Sequence, residues 1–251
     1  MSNSLHRRNI THQDRYLYER ESYSIARSYV QVALSKFADT QSLAYASAVD
    51  LQGLIDLDIG RPTAALQVFE KAYEVRTRIL SSDDAFLAAN QVNIGLAYTE
   101  LGELEMARSY LQQSIDIRLM HNSDRIGNSY SNMASLLLRM GKPDDAEAML
   151  KSCPSLKDFS DETFLKTGNP RFSGLVILFK NKHSFLADSC SDMVLLSRIR
   201  LAQGLLDDSL RLASKALGFR KECLGERLKV CDSLYRVAVL LSLGKNHALA
   251  V

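Results

Sequence analysis

Two stretches of this chain carry the same punctuation at a step of 42 residues. Gly53 matches Gly95, Gly60 matches Gly102, Ala65 matches Ala107, Phe69 matches Leu111 and Arg76 matches Arg118. A third copy supplies Ala134, Gly141, Ala146 and Leu150. A fourth supplies Ser197, Gly204, Ser209, Ala213, Ala216 and Arg220. Self-similarity at such a period means an array in which each copy is one supersecondary unit that buries its apolar face against its neighbours.

The internal offsets say what the unit is. A small residue opens each copy, and a glycine follows it by seven positions. Glycine suits the left-handed residue that closes a helix. A second small residue lies five positions on, and a larger one four beyond that, on the same helical face. The small residues let two antiparallel helices cross closely and the larger one fills the groove. The unit is a helical hairpin. Composition agrees: hydrophobic residues make up 46% of the 251-residue chain, charged residues 24%, and there are only 4 prolines.

These residues resemble the tetratricopeptide repeat, best in the copy with Gly95, Tyr98, Ala107 and Leu111. The 42-residue step is similar to the long-repeat subtype of kinesin light chains, and the linkers "EVRTRILSSDDAFLA" and "GFRKECLGERLKVCDS" resemble that subtype's linkers. The resemblance implies an all-α fold, a right-handed α-α superhelix (solenoid) of about five tetratricopeptide helical hairpins. A polar tail is expected at 1–13. Hairpins are expected at 14–37 (partial), 42–80, 85–120, 126–153, 192–222 and 227–251 (truncated). In the last of these, Gly244 should end the first helix and the chain should stop inside the second. That leaves an apolar face near Leu240 and Ala250, through which copies are expected to self-associate.

The stretches "SLKDFSDETFLKTGNPRFSG" and "DMVLLSRIRLAQGLLDDSLRLASKAL" resemble the repeat region of fungal proteins with a central NB-ARC-type nucleotide switch. This implies a piece of a longer protein. A cargo or motor adaptor like kinesin light chain is the alternative.

Chemistry-bearing motifs are missing. There is no GxxxxGK[ST], no GxGxxG and no GxSxG, so no phosphate loop and no nucleophile elbow. The histidines at 6, 12, 121, 183 and 247 are dispersed. Cys153, Cys190, Cys223 and Cys231 form no CxxC pair and read as reduced thiols. The expectation is a non-enzymatic protein with no cofactor and no metal. Asp144-Asp145 and Asp207-Asp208 fall in the first turns of second helices, where carboxylates complement the helix dipole. Arg76, Arg118 and Arg220 recur near the ends of second helices, where dipole and linker pairing explain them, with peptide contact the other reading. A net charge of +2 gives no field for nucleic acid. No apolar run is long enough for a membrane span and no signal peptide is evident, so the expected location is cytoplasmic.

The resemblance also implies a binding face. First-helix positions that line the concave side in this family fall on Val92, Asn93, Leu96, Thr99 and Glu100, and on Asn128, Ser131, Asn132, Ser135 and Arg139. Asn93 and Asn132 match a family asparagine whose amide hydrogen-bonds an extended peptide. Leu51 and Leu195 replace it in the flanking copies, implying a groove polar in its centre and apolar to both sides. The Lys/Arg carboxylate clamp of chaperone-binding members is missing: its positions hold Ser47, Leu51, Ala89, Asn93, Asn128 and Asn132. The expected partner is a protein or peptide.

One stretch breaks the pattern. Residues 154–191 form an overlong linker, and 175–191, opening "LVILF", show neither helical period nor alternation. Their 17 residues correspond to 51 nucleotides in frame, and their removal joins "NPRFSG" to "DMVLLSRIR". They read as retained intron sequence whose deletion the fold should tolerate; an ordinary surface loop and a lid over the groove are the alternatives.

Overall fold

The computed structural model describes residues 22–123, 125–152, 182–224 and 228–248. Among these every regular element is a helix: α1 (Tyr23–Ser35), α2 (Leu43–Asp58), α3 (Pro62–Thr77), α4 (Ala85–Leu101), α5 (Leu104–Met120), α6 (Ile126–Arg139), α7 (Pro143–Lys151), α8 (Lys182–Ala202), α9 (Leu206–Leu224) and α10 (Leu228–Ala248). The fold is the all-α helical-hairpin repeat expected from the sequence. The chain divides into two compact units, Met1–Asn132 and Met133–Val251.

The turns follow the glycines. Gly60, Gly102, Gly141 and Gly204 all have φ between 74° and 84°. Each closes its helix with the same bond, from the N–H after the glycine to a carbonyl five residues back. Glu103 N donates to Tyr98 O at 3.0 Å and Leu205 N to Arg200 O at 2.8 Å. Starts are equally local. Ser42 Oγ accepts from Tyr45 N, Asp84 Oδ1 accepts from Phe86 N, and Pro62 and Pro143 occupy first turns. Asp144-Asp145 and Asp207-Asp208 stand in the first turns of α7 and α9, as expected.

The small residues sit at the crossings. A Cβ on Gly53 would overlap the Phe69 ring, and one on Gly95 would lie 2.9 Å from Leu111 Cγ. Ala65, Ala107 and Ala146 have no exposed surface. In the α8–α9 hairpin the crossing pair is Ser197 and Ser209. Each hydroxyl donates to the other's backbone carbonyl at 2.8 Å, so two buried hydroxyls are satisfied without a side-chain partner elsewhere.

Three expectations change. Helix α8 begins at Lys182, ten residues before the hairpin start drawn at 192, so the second part of 175–191 is helical. Residues 182–191 contain neither proline nor glycine, so no stop signal keeps the helix from propagating back from its packed half. Residues 175–181, like the rest of the linker from 153, lie outside the described residues. The partial hairpin at 14–37 is represented by α1; the tail at 1–13 and residues 14–21 lie outside the description. Gly244 makes no turn, for α10 runs through it to Ala248. A hairpin turn is held by the second helix lying back on the first.

Candidate functional site

The first unit holds most of the expected groove residues, on α4 and on α6 up to Asn132. Asn93 and Leu96 are half-buried and Glu100 is exposed; Asn128 is exposed, Ser131 and Asn132 half-buried. Val92 and Thr99 depart from the expectation. They are 7% and 6% exposed, and Thr99 Oγ1 donates to Gly95 O at 2.8 Å, so neither faces a ligand. Ser135, half-buried, and Arg139, exposed, belong to the second unit. The apolar flanks differ, Leu51 being half-buried and Leu195 buried. Leu51 packs on the α1 cluster of Ala26 and Val30.

Around Asn93 the structure builds a polar network that sequence reading missed. Asp50 on α2 pairs with Arg76 of α3, Oδ2 to Nη1 at 2.6 Å, with Arg76 only 3% exposed. Asn90 of α4 donates to Asp50 Oδ1 at 2.9 Å and to Phe69 O at 3.2 Å. The Asn93 amide leans on the same carboxylate. Burial pushes the Asp50 pKa up, and Arg76, Asn93 and Asn90 pull against it without cancelling the rise. One carboxylate therefore ties three helices, with the Asn93 amide beside it. An aspartate three residues before a repeat glycine gives no hint of this, because Arg76 and Asn90 reach it only through the folded stack.

The recurrent arginines share a role. Arg118 donates to Arg125 O at 2.7 Å and to Ser129 Oγ at 2.9 Å; Arg220 donates to Ser233 Oγ at 2.7 Å. With exposures of 3%, 6% and 5%, Arg76, Arg118 and Arg220 are interior groups. Linker pairing, part of one sequence reading, is seen at Arg118; the peptide-contact reading is overturned by their burial. Ser129 and Ser233 occupy the place of Asn90, five residues before the small residue of the following copy. Arg118 and Arg220 are thus met at the start of the next hairpin, whereas Arg76 pairs with Asp50 of its own hairpin, which Asn90 of the next one joins.

In the second unit a different clamp joins α7 to α8. Arg200 Nη1 and Nη2 reach Glu147 Oε2 and Oε1 at 3.0 and 2.9 Å; Gln203 donates to Glu147 Oε2 at 2.8 Å and to Asp144 Oδ1 at 2.9 Å; Lys151 lies 2.6 Å from Glu147. Burial works to raise the Glu147 pKa. The hydrogen bonds of Lys151 and Gln203 and the charges of Arg200 and Lys151 outweigh it, and the pKa is lowered.

Among the described residues no group of three His, Cys, Asp or Glu could hold a metal ion, and no helix is long and apolar enough to cross a membrane. Cys231 is an exposed free thiol; Cys153 and its surroundings lie outside the description.

A hairpin repeat with polar bridges between successive copies defines an α-helical repeat protein. Residues 45–120 match the tetratricopeptide repeat family model. Solved structures with the same fold include the Podosopora anserina putative kinesin light chain with nearly identical TPR-like repeats, at 14% identity, covering 86% of this chain and 94% of that one, TM-score 0.58. A thermophilic TPR protein of Thermus thermophilus, TTC0263, is 19% identical over 94% of this chain and 98% of its own, TM-score 0.58. BtubC (BKLC) from P. vanneervenii is 16% identical over 87% and 81%, TM-score 0.57. No curated protein sequence matches the chain.

Proposed function

We propose that the chain is a non-enzymatic protein-interaction scaffold whose first unit takes an extended peptide against α4 and α6, with Asn93 and Asn132 reading its backbone. The observation that carries this is the setting of Asn93. It is half-buried, its amide rests on Asp50, and Asp50 is itself held by Arg76 and Asn90. With its NH2 turned to that carboxylate, Asn93 offers its amide oxygen to a peptide N–H, and each such restraint on the side chain lowers the entropic cost of binding. Leu96 beside it supplies an apolar contact. Val92 and Thr99 take no part.

The test is selection of a random-peptide display library against the full chain, followed by titration of the selected peptides. Asn93→Ala with Asn132→Ala should weaken them by roughly tenfold or more. Equal affinity for the double variant overturns the role of the face.

The two stretches quoted for their likeness to NB-ARC-associated repeats support a finer reading, a cytoplasmic sensor region, or its relic, of a fungal NB-ARC-like signalling protein. The 42-residue step supports the alternative of a cargo or motor adaptor like kinesin light chain. The genomic sequence upstream of Met1 separates them: an in-frame phosphate loop upholds the switch reading, heptad repeats the adaptor.

A further inference from the structure

Helices α1 and α10 each expose one side of an interface that the repeats between them bury. The exposed side chains of α10 from Cys231 to Leu243 are Cys231, Asp232, Leu234, Tyr235, Ala238, Val239, Leu241, Ser242 and Leu243, with a single charge among them. Leu240 and Val230 pack inward. The apolar face is therefore not the one expected near Leu240, which is only 1% exposed; Ala250 lies outside the description. A second apolar stripe beside the buried one, larger than a surface helix needs, marks a face built to be covered.

The repeat register says what the open face is for. Ala238 corresponds to Gly53, Leu234 to Val49, Cys231 to Ala46 and Leu241 to Asp56. In α2 those residues are buried: Val49 and Ala46 pack with Ala72 and Val75 of α3, and Gly53 lies under Phe69. In α10, Leu234 is 44% and Leu241 47% exposed. So α10 is a first helix whose second-helix face is exposed among the described residues.

Helix α1 is the converse. Ala26, Val30 and Ala33 correspond to Ala65, Phe69 and Ala72, which marks α1 as a second helix, and they are buried against α2. Its stripe Ile25, Tyr29 and Val32 is 51%, 39% and 47% exposed. The counterparts of Tyr29 and Val32 are Val68 and Lys71. Val68 packs on the cluster of Tyr45, Ala46 and Val49, and Lys71 Nζ lies 5.3 Å from the Tyr45 ring, both on the hairpin's own first helix. The exposed stripe of α1 is therefore its first-helix face, which no described residue covers.

We propose that a second copy of this chain covers each face, α10 of one molecule receiving α1 of the next to complete a hairpin in trans. The two surfaces differ, so the contact is heterologous: an open assembly keeps one free face of each kind and grows head to tail, unless it closes into a ring that leaves none. This is independent of the peptide-binding reading.

Sedimentation velocity over about 1–200 µM should show the average mass rising at least about twofold. Leu234→Glu with Leu241→Glu, and separately Tyr29→Glu with Val32→Glu, should each be monomeric with unchanged helicity. An equimolar mixture of the two should form a dimer and nothing larger, because only one complementary pair of faces remains. A wild-type chain that stays monomeric overturns the proposal. So does self-association of the α1 variant alone, which would mean α10 pairs with α10. A second measurement does not depend on the charged variants folding. The counterpart of Val32 touches the residue next to the counterpart of Cys231, so Val32→Cys under mild oxidation should give a ladder of disulfide-linked multimers, abolished by Cys231→Ser. No ladder, or one that survives Cys231→Ser, also overturns it. Asn93→Ala with Asn132→Ala should assemble like the wild type, so loss of peptide binding and loss of assembly fail separately.

Discussion

Arg118 donates to Ser129 Oγ at 2.9 Å from the end of one hairpin to the start of the next. Ser129 has no exposed surface and Arg118 is 6% exposed, so the guanidinium has little access to water as a substitute partner. Ser114 Oγ lies 2.9 Å from the same hydroxyl and completes the buried set. Ser129→Ala should cost about 1–3 kcal/mol in chemical denaturation, the penalty of a buried donor left short. Thr at 129, which keeps a hydroxyl, should recover part of it.

Asp50 poses the sharper case. Asp50→Ala leaves Arg76 charged and interior, and the first unit should lose about 3–5 kcal/mol. Because Asn93 rests on the same carboxylate, selected peptides should also bind less well. A variant that melts normally would mean Arg76 finds another acceptor.

Ala107→Leu should destabilise the first unit by about 1–3 kcal/mol, read by melting. Ala107 has no exposed surface, and its carbonyl lies 3.3 Å from where a Cβ on Gly95 would sit, so extra methylenes have no space. Glu105→Ala, two residues away and exposed, is the control and should be within about 0.5 kcal/mol of wild type.

Glu147 makes stability depend on acid. Its folded pKa is lowered from 4.5, so its stabilisation is fully present above that unfolded value and is lost as pH falls through the lowered folded one. Glu147→Gln should therefore melt lower than wild type at pH 7, and the gap should close as pH drops below about 4.5. A gap that is constant down to acid would assign the effect to packing.

The hairpins could be read from the sequence because their determinants are local. A glycine after a helix, a small residue at a crossing and an aspartate in a first turn act within a few residues, and Gly60, Gly102, Gly141 and Gly204 turn where they stand. Gly244 shows the limit: the same residue near the same offset makes no turn, and α10 runs through it. The groove was legible only in part. Register placed Asn93 on an accessible face but could not say that Val92 and Thr99 tilt inward, since that depends on how neighbouring helices lean. The Asp50, Asn90 and Arg76 network joins positions up to 40 residues apart and has no signature in spacing.

The arginine bridges bear on how such a protein can be recombined. The α4–α5 hairpin cut out from start to finish and transplanted would carry Arg118 away from the Ser129 hydroxyl that receives it, and would leave Ser129 behind without its donor. A fragment running from one glycine turn to the next, as from Gly102 to Gly141, keeps Arg118 and Ser129 together. For anyone building chimaeras from this chain, the portable cassette is half a period out of step with the visible one.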